Sequence, residues 1–259
     1  MLGKVFQYDF RNCARYFLPM YLIFAVLMLL TKLYFLISPA EGPLSNALLS
    51  LMISSYVFGV FAMAILTSVF LIYYFYRKCI SSEGYLTFTL PVSTGTHIVS
   101  KCLNGAVWQL FTYLLLILSI FLLFPMDELG RVLRILQYIL FSRISLDLTV
   151  PMIFLSLTLV TQFFAGPLMF YASMAVGQMV TRHKVLTSIG LYIGLYMVIS
   201  LLSSFGFSFL ILGSEILSGG DIQTTLTIYS IATFALALAE TVLFYFLTWF
   251  FLGRKLNLS

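Results

Sequence analysis

Six long apolar runs, separated by short polar breaks, set the pattern of this chain. They lie near residues 17–37, 48–76, 104–124, 152–180, 186–213 and 226–252. Each reaches the ~20 residues that, at ~1.5 Å rise, cross a ~30 Å hydrocarbon core. The pattern therefore predicts six transmembrane α-helices. No run alternates apolar and polar residues with a period of two, which argues against an outer-membrane barrel. Residues 1–16 follow a different rule. Leu2, Val5, Phe6, Phe10, Cys13 and Phe17 fall at mostly helical spacing, with Lys4, Gln7, Arg11 and Arg15 between them. Such a stripe suits an interfacial helix lying in the headgroup plane; the alternative is a frayed basic flank of the first span. Pro19 is expected near the first turn of that span, where its missing N–H costs little.

The first run has the outline of a signal peptide, with basic residues before it and Ser38-Pro39-Ala40 after it. It exceeds the roughly 7–15 residues of a secretory apolar segment and is read as a retained helix. Composition supports the membrane reading. The chain is 61% hydrophobic and 9% charged with a mean hydropathy of +1.06, whereas a soluble domain carries about a quarter charged residues. No soluble domain fits into the connections, so residues 1–259 are read as a single transmembrane domain, all-α and polytopic.

Charge supplies the orientation. Lys4, Arg11, Arg15, Arg77, Lys78, Lys101, Arg182, Lys184, Arg254 and Lys255, ten of the 14 cations, fall on one side. The other side has Lys32, Arg131, Arg134 and Arg143. An excess of Lys and Arg marks the cytoplasmic face, so both termini are expected there. The net charge of +5 is spread along helix ends without a stacking surface, which points away from nucleic acid. Cys13, Cys79 and Cys102 share the expected cytoplasmic side, where thiols stay reduced, and their spacing has no zinc signature.

Several features inside the runs bear on packing and chemistry. Small residues recur four apart at Ser55/Gly59, Ser173/Gly177, Gly190/Gly194 and Ala235/Ala239. That spacing lets helix backbones approach closely, and the Gly190-x-x-x-Gly194 pair serves either packing within the chain or association with a second copy. Gly166-Pro167 interrupts the fourth run and is expected to kink it, either for packing or to line a translocation path. Glu240 lies near the centre of the sixth run. A carboxyl at that depth is costly, so it is read either as a contact in such a path or as a packing residue bonded to Gln162, Gln178 or a hydroxyl. Residues 125–151 space Val132, Ile135/Leu136 and Ile139/Leu140 opposite Arg131 and Arg134, the pattern of a short amphipathic helix on the outer side or of a plain connector.

The sequence holds no Gly-x-x-x-x-Gly-Lys-Ser/Thr phosphate cradle, no His-Glu-x-x-His and no Gly-x-Ser-x-Gly. Its two histidines, His97 and His183, fall in separate connections. A membrane enzyme would lack nucleophile, base and metal ligands. If ATP drives this chain, another chain binds it.

The break between the second and third runs, residues 77–101, is the most distinctive stretch. Its core, Ser81-Ser82-Glu83-Gly84-Tyr85-Leu86-Thr87-Phe88-Thr89-Leu90-Pro91-Val92-Ser93, followed by Lys101, resembles the cytoplasmic loop of bacterial ABC-2 type transporter permeases. Tyr8-Asp9-Phe10, Arg15-Tyr16-Phe17-Leu18-Pro19 and the ending Tyr245-Phe246-Leu247-Thr248 through Arg254-Lys255-Leu256-Asn257-Leu258 resemble the same group. Ser82 departs from the family pattern, which has an acid there, and leaves Glu83 to carry the charge alone. The resemblance implies a six-helix permease subunit in the bacterial cytoplasmic membrane. It would pair with a second permease copy or paralogue and with a cytoplasmic ABC ATPase that holds the ATP and Mg, this chain binding no cofactor. In such machines a short cytoplasmic helix seats in the ATPase. Glu83 would start that helix, Tyr85, Leu86, Phe88 and Leu90 would anchor it, and Pro91 with Gly95 would end it; the alternative is a loop packed on its own helix ends. A competing reading from another class is a non-transporting membrane scaffold or assembly protein. A neighbouring reading frame for a P-loop ATPase would separate the two.

Overall fold

In the computed structural model the described residues are 2–37, 42–81, 84, 93–123, 130–131, 134, 149–180, 184–218 and 222–254. Six long helices account for nearly all of them: α1 (Leu2–Ile37), α2 (Pro43–Phe75), α3 (Thr94–Leu123), α4 (Thr149–Gly177), α5 (Lys184–Ser218) and α6 (Ile222–Arg254). All six are long and apolar enough to cross a bilayer, so the chain is an all-α, multi-pass membrane protein. Pro43 opens α2, where a missing N–H goes unnoticed, and the Gly42 carbonyl accepts from the Asn46 N–H at 3.0 Å. The outer segment expected over 125–151 lies outside the described residues except for Gly130, Arg131 and Arg134, which are helical, and residues 149–151, which open α4.

The helices run further than the apolar pattern reaches. Residues 2–16 pass without a break into the first span, giving 36 residues in α1, or about 54 Å at 1.5 Å per residue. That exceeds a ~30 Å hydrocarbon core by several turns. The N-terminal stripe is thus the opening of α1, and it has a protein neighbour: Phe10 and Phe17 stack on Trp108 of α3 with centroids at 4.9 and 4.7 Å. Lys4, Gln7, Arg11 and Arg15 are exposed, as the stripe requires. Pro19 sits inside α1, not in a first turn, and there its ring removes the N–H that would reach the Arg15 carbonyl.

Two compact units emerge. The first comprises Met1–Phe6, Ile72–Ala106 and Leu146–Ser259; the second comprises Gln7–Leu71 and Val107–Ser145. In the second unit, α1, α2 and α3 form a three-helix group. Tyr34 donates to the Ser45 carbonyl at 3.0 Å, and Gly59 lies against Leu27 and Phe24, so α1 and α2 run antiparallel. Tyr56 pairs with Ser119 at 2.7 Å and Thr67 with Thr112 at 3.1 Å, which sets α3 antiparallel to α2. Tyr21 reaches Thr112 at 2.8 Å and the Trp108 carbonyl at 3.1 Å. Hydroxyls carry these contacts because neighbouring helices gain little hydrophobic free energy from each other in lipid, where van der Waals packing and interhelical hydrogen bonds take over.

In the first unit, α4 packs mainly on α6 and next on α5. Phe154 meets Phe234 with centroids 5.8 Å apart, and Gln162 hydrogen-bonds Glu240; both partners advance together, so α4 and α6 are parallel. Phe170 stacks on Tyr192 at 4.0 Å, and Gly177 faces Ser188, so α5 folds back antiparallel on α4. The core gathers Phe75, Cys79, Ile80, Ile98, Cys102, Leu168, Tyr171, Ala172, Phe244 and Leu252.

The expected small-residue contacts are met selectively. Gly59 and Gly177 are close-approach positions; at Gly177 a Cβ would stand 3.0 Å from Ser188 Cα. Gly190 and Gly194 are exposed on α5, and a Cβ at either would meet no described atom within 4 Å. The packing role within the chain allowed for that pair is therefore not seen among the described residues, because α5 turns its other face to α4. Ala235 and Ala239 are likewise exposed.

Candidate functional site

The break between α2 and α3 has a built stem. The last turn of α2 widens into a π-helical stretch, Tyr76–Ile80, which closes when the Ser81 N–H donates to the Tyr76 carbonyl at 3.0 Å. A π turn inserts a residue and re-aims the side chains after it; such turns recur at functional sites. Here it turns Cys79 and Ile80 into the core beside Phe75, while Arg77 stays exposed. The Gly84 N–H then donates to the Ser81 carbonyl at 2.7 Å. Gly84 is buried against the Cys79 backbone, where a Cβ would fall 2.7 Å from the carbonyl oxygen and 2.9 Å from its carbon. Only glycine fits there, since both obstructing atoms are main chain.

The far end of the stem is equally defined. Ser93 caps α3: its carbonyl accepts from the Thr96 and His97 N–H groups at 3.0 and 3.3 Å, and its Oγ accepts from the Thr96 N–H at 3.4 Å. Gly95 lies in the first turn of α3, where a Cβ would sit 2.9 Å from the Tyr245 hydroxyl of α6. It is a packing position at the start of a long helix, which corrects its expected place at the end of a short one. Deeper in, Ile98, Ser100 and Lys101 are buried. The Lys101 ammonium lies 5.4 Å from the Tyr74 ring centroid, within cation–π range. This cation, counted from sequence among those that mark the cytoplasmic side, is 2% exposed.

Tyr171 of α4 ties the stem to the bundle. Its ring stacks on Phe75 at 3.8 Å and its hydroxyl donates to the Lys101 carbonyl at 3.4 Å. Pro167, buried in α4, cannot donate to the Phe163 carbonyl. One residue on, the Phe164 carbonyl accepts from the Cys102 thiol at 3.7 Å. Pro167 is thus buried on the stretch of α4 whose main chain meets Cys102 of α3.

Of the loop residues singled out from sequence, Glu83, Tyr85, Leu86, Phe88, Leu90 and Pro91 lie outside the described residues. What the sequence reading missed is the stem itself. One signal was available: Ser93, standing just before the helical run, is an N-cap residue type. The burial of Cys79, Gly84 and Lys101 had no signal in the residue pattern, because it depends on a π turn, on a fold-back onto the main chain and on Tyr74.

The second feature is Glu240, near the middle of α6. It is half-buried, and the Gln162 amide of α4, which is exposed, hydrogen-bonds its carboxylate. Gly166, four residues beyond Gln162 and hence on the same helix face, is half-buried with no described atom within 4 Å of a would-be Cβ. The three cysteines are buried, and none is joined in a disulfide.

Comparison of the chain with protein-family models, with curated proteins and with solved structures gives no match.

Proposed function

We propose that this chain is the membrane-spanning permease subunit of an ATP-binding-cassette exporter. It would move a substrate across the bacterial cytoplasmic membrane with ATP hydrolysed on a separate cytoplasmic subunit. The reading rests on the residue pattern of 81–93 and on the way that segment is mounted. Its start is wedged against the Cys79 backbone at Gly84, and its end is a capped helix start at Ser93. The helix ends that carry these mounts, through Cys79 and Ile80 on one side and Ile98 and Cys102 on the other, share one core with α4 and α6. A force applied to a loop held in this way reaches the helices instead of dissipating in a slack connection. That is the mechanical requirement for coupling to a separate motor.

In this reading Glu83 supplies the charge at the start of the coupling segment, and Tyr85, Leu86, Phe88 and Leu90, with Pro91 behind them, form the contact with the ATPase. Both termini are cytoplasmic. A second copy of the chain, or a paralogue, completes the membrane part, and the exposed Gly190 and Gly194 are the positions at which it would approach α5 most closely.

The deciding experiment replaces Glu83 and Leu86 together by Ala and measures co-purification with the ATPase and ATP-driven export in vesicles. Contacts at the centre of an interface commonly contribute ~1–2 kcal/mol or more each, so association should weaken roughly tenfold while the chain still inserts. Full association and transport by the double variant would remove the loop from the mechanism.

A further inference from the structure

We infer that the Glu240–Gln162 pair on the α4/α6 face is a binding site for the ammonium group of a cationic amphiphile. This deepens the export reading by naming the substrate class, and it rests on that reading for its purpose.

Geometry and charge carry the inference together. Polar pairs that join helices elsewhere, Tyr56 with Ser119 and Thr67 with Thr112, are sealed in the packed interior. Glu240 and Gln162 are not: one is half-buried, the other exposed, and both lie near the middle of their spans. Polar groups left open at bilayer depth cost free energy unless something polar meets them. The hydrogen-bond inventory says what that must be. With one Gln162 N–H donating to the carboxylate, the unused capacity is mostly acceptor: the lone pairs of the Glu240 oxygens and the Gln162 Oε1, against one remaining amide N–H. A donor-rich cation matches the carboxylate and the amide oxygen beside it, and an anion does not.

No counter-ion comes from the same helices. From Thr149 to Val180 and from Val185 to Gly253 the sequence contains neither Lys nor Arg. Gly166 leaves the next turn of α4 without a side chain on the face that carries Gln162, with room where a Cβ would stand. An ammonium at Glu240 would thus have space beside it, and its alkyl chain would lie along the apolar helices.

The test uses the full chain reconstituted in phosphatidylcholine vesicles and a dodecylammonium carrying a photoreactive diazirine, with the matching dodecanol as neutral control. The ammonium probe should label segments around Gln162 and Glu240, and the alcohol should not. Glu240→Gln should reduce that labelling roughly tenfold or more, the worth of one charge-assisted hydrogen bond, whereas Glu240→Asp should retain most of it. Glu240→Gln should leave labelling elsewhere on the chain unchanged, which reports that it is folded. Equal labelling by ammonium and alcohol overturns the inference, as does labelling that Glu240→Gln does not alter. If added phosphatidylethanolamine competes the probe away, the ammonium is that of a lipid headgroup; without competition it is that of a free amphiphile, and both outcomes support the recognised chemistry. No ATPase enters the assay, so failure of the site and failure of the exporter reading are separately visible.

Discussion

Gly177 and Gly194 carry the same residue in neighbouring helices and should respond oppositely to the same substitution. At Gly177 an added Cβ stands 3.0 Å from both Cα and Cβ of Ser188; at Gly194 it meets no described atom within 4 Å. Carbon atoms prefer ~3.5–4.0 Å, so Gly177→Ala obliges α4 and α5 to separate by about 0.5–1 Å or to strain. Overpacking of this kind costs ~1–3 kcal/mol. Gly→Ala also gains up to ~1 kcal/mol of propensity in a helix interior; Gly194 is interior whereas Gly177 ends α4, so propensity and the clash both place Gly177→Ala lower. Reversible unfolding in mixed detergent and SDS micelles, followed by circular dichroism, should place Gly177→Ala ~1–3 kcal/mol below Gly194→Ala. Adding Ser188→Gly removes the Cβ and Oγ and leaves the Cα, so it should recover part of the loss. Two alanine variants within about 0.5 kcal/mol of each other, the ordinary error of additivity, would show that the α4/α5 approach is not made at Gly177.

Three further outcomes are expected. Gly84→Ala forces a Cβ against main-chain atoms at 2.7 and 2.9 Å and should destabilise the chain by ~1–3 kcal/mol; unchanged unfolding would refute the wedged turn. Thr112→Val removes the hydroxyl that meets Tyr21 at 2.8 Å and Thr67 at 3.1 Å, and at ~0.6 kcal/mol per interhelical bond in a membrane it should cost roughly 1 kcal/mol; a loss several times larger, or none, would refute that accounting. For topology, the buried native thiols should stay silent toward maleimide even in permeabilised cells. Tyr8→Cys, 60% exposed, should label only after permeabilisation, and Leu44→Cys, 75% exposed, already in sealed spheroplasts; the reverse pattern would invert the orientation.

The six-helix architecture was legible along the chain because the bilayer imposes a one-dimensional criterion. A helix satisfies its own backbone, so a sufficiently long apolar run implies a span wherever it occurs. Helix ends were less legible. α1 and α3 extend well beyond their apolar runs, since residues 2–16 and 94–103 are held helical by what they pack on as well as by their hydropathy. The partner of Glu240 was within reach, because α4 offers few polar side chains at that depth and Gln162 is one of them. Which glycines touch another helix was not. Gly177 and Gly194 look alike as small residues four from another, and only the side of α5 that faces α4 distinguishes them. The same holds for Lys101 and for Cys79 and Gly84, whose burial depends on Tyr74, on a π turn and on a fold-back onto the main chain. Apolar content and length are properties of the chain and can be read from it. A close approach is a property of two helices at once, set by their rotation about their own axes, and nothing in a sequence as apolar as this one marks which side of a span meets lipid and which meets protein.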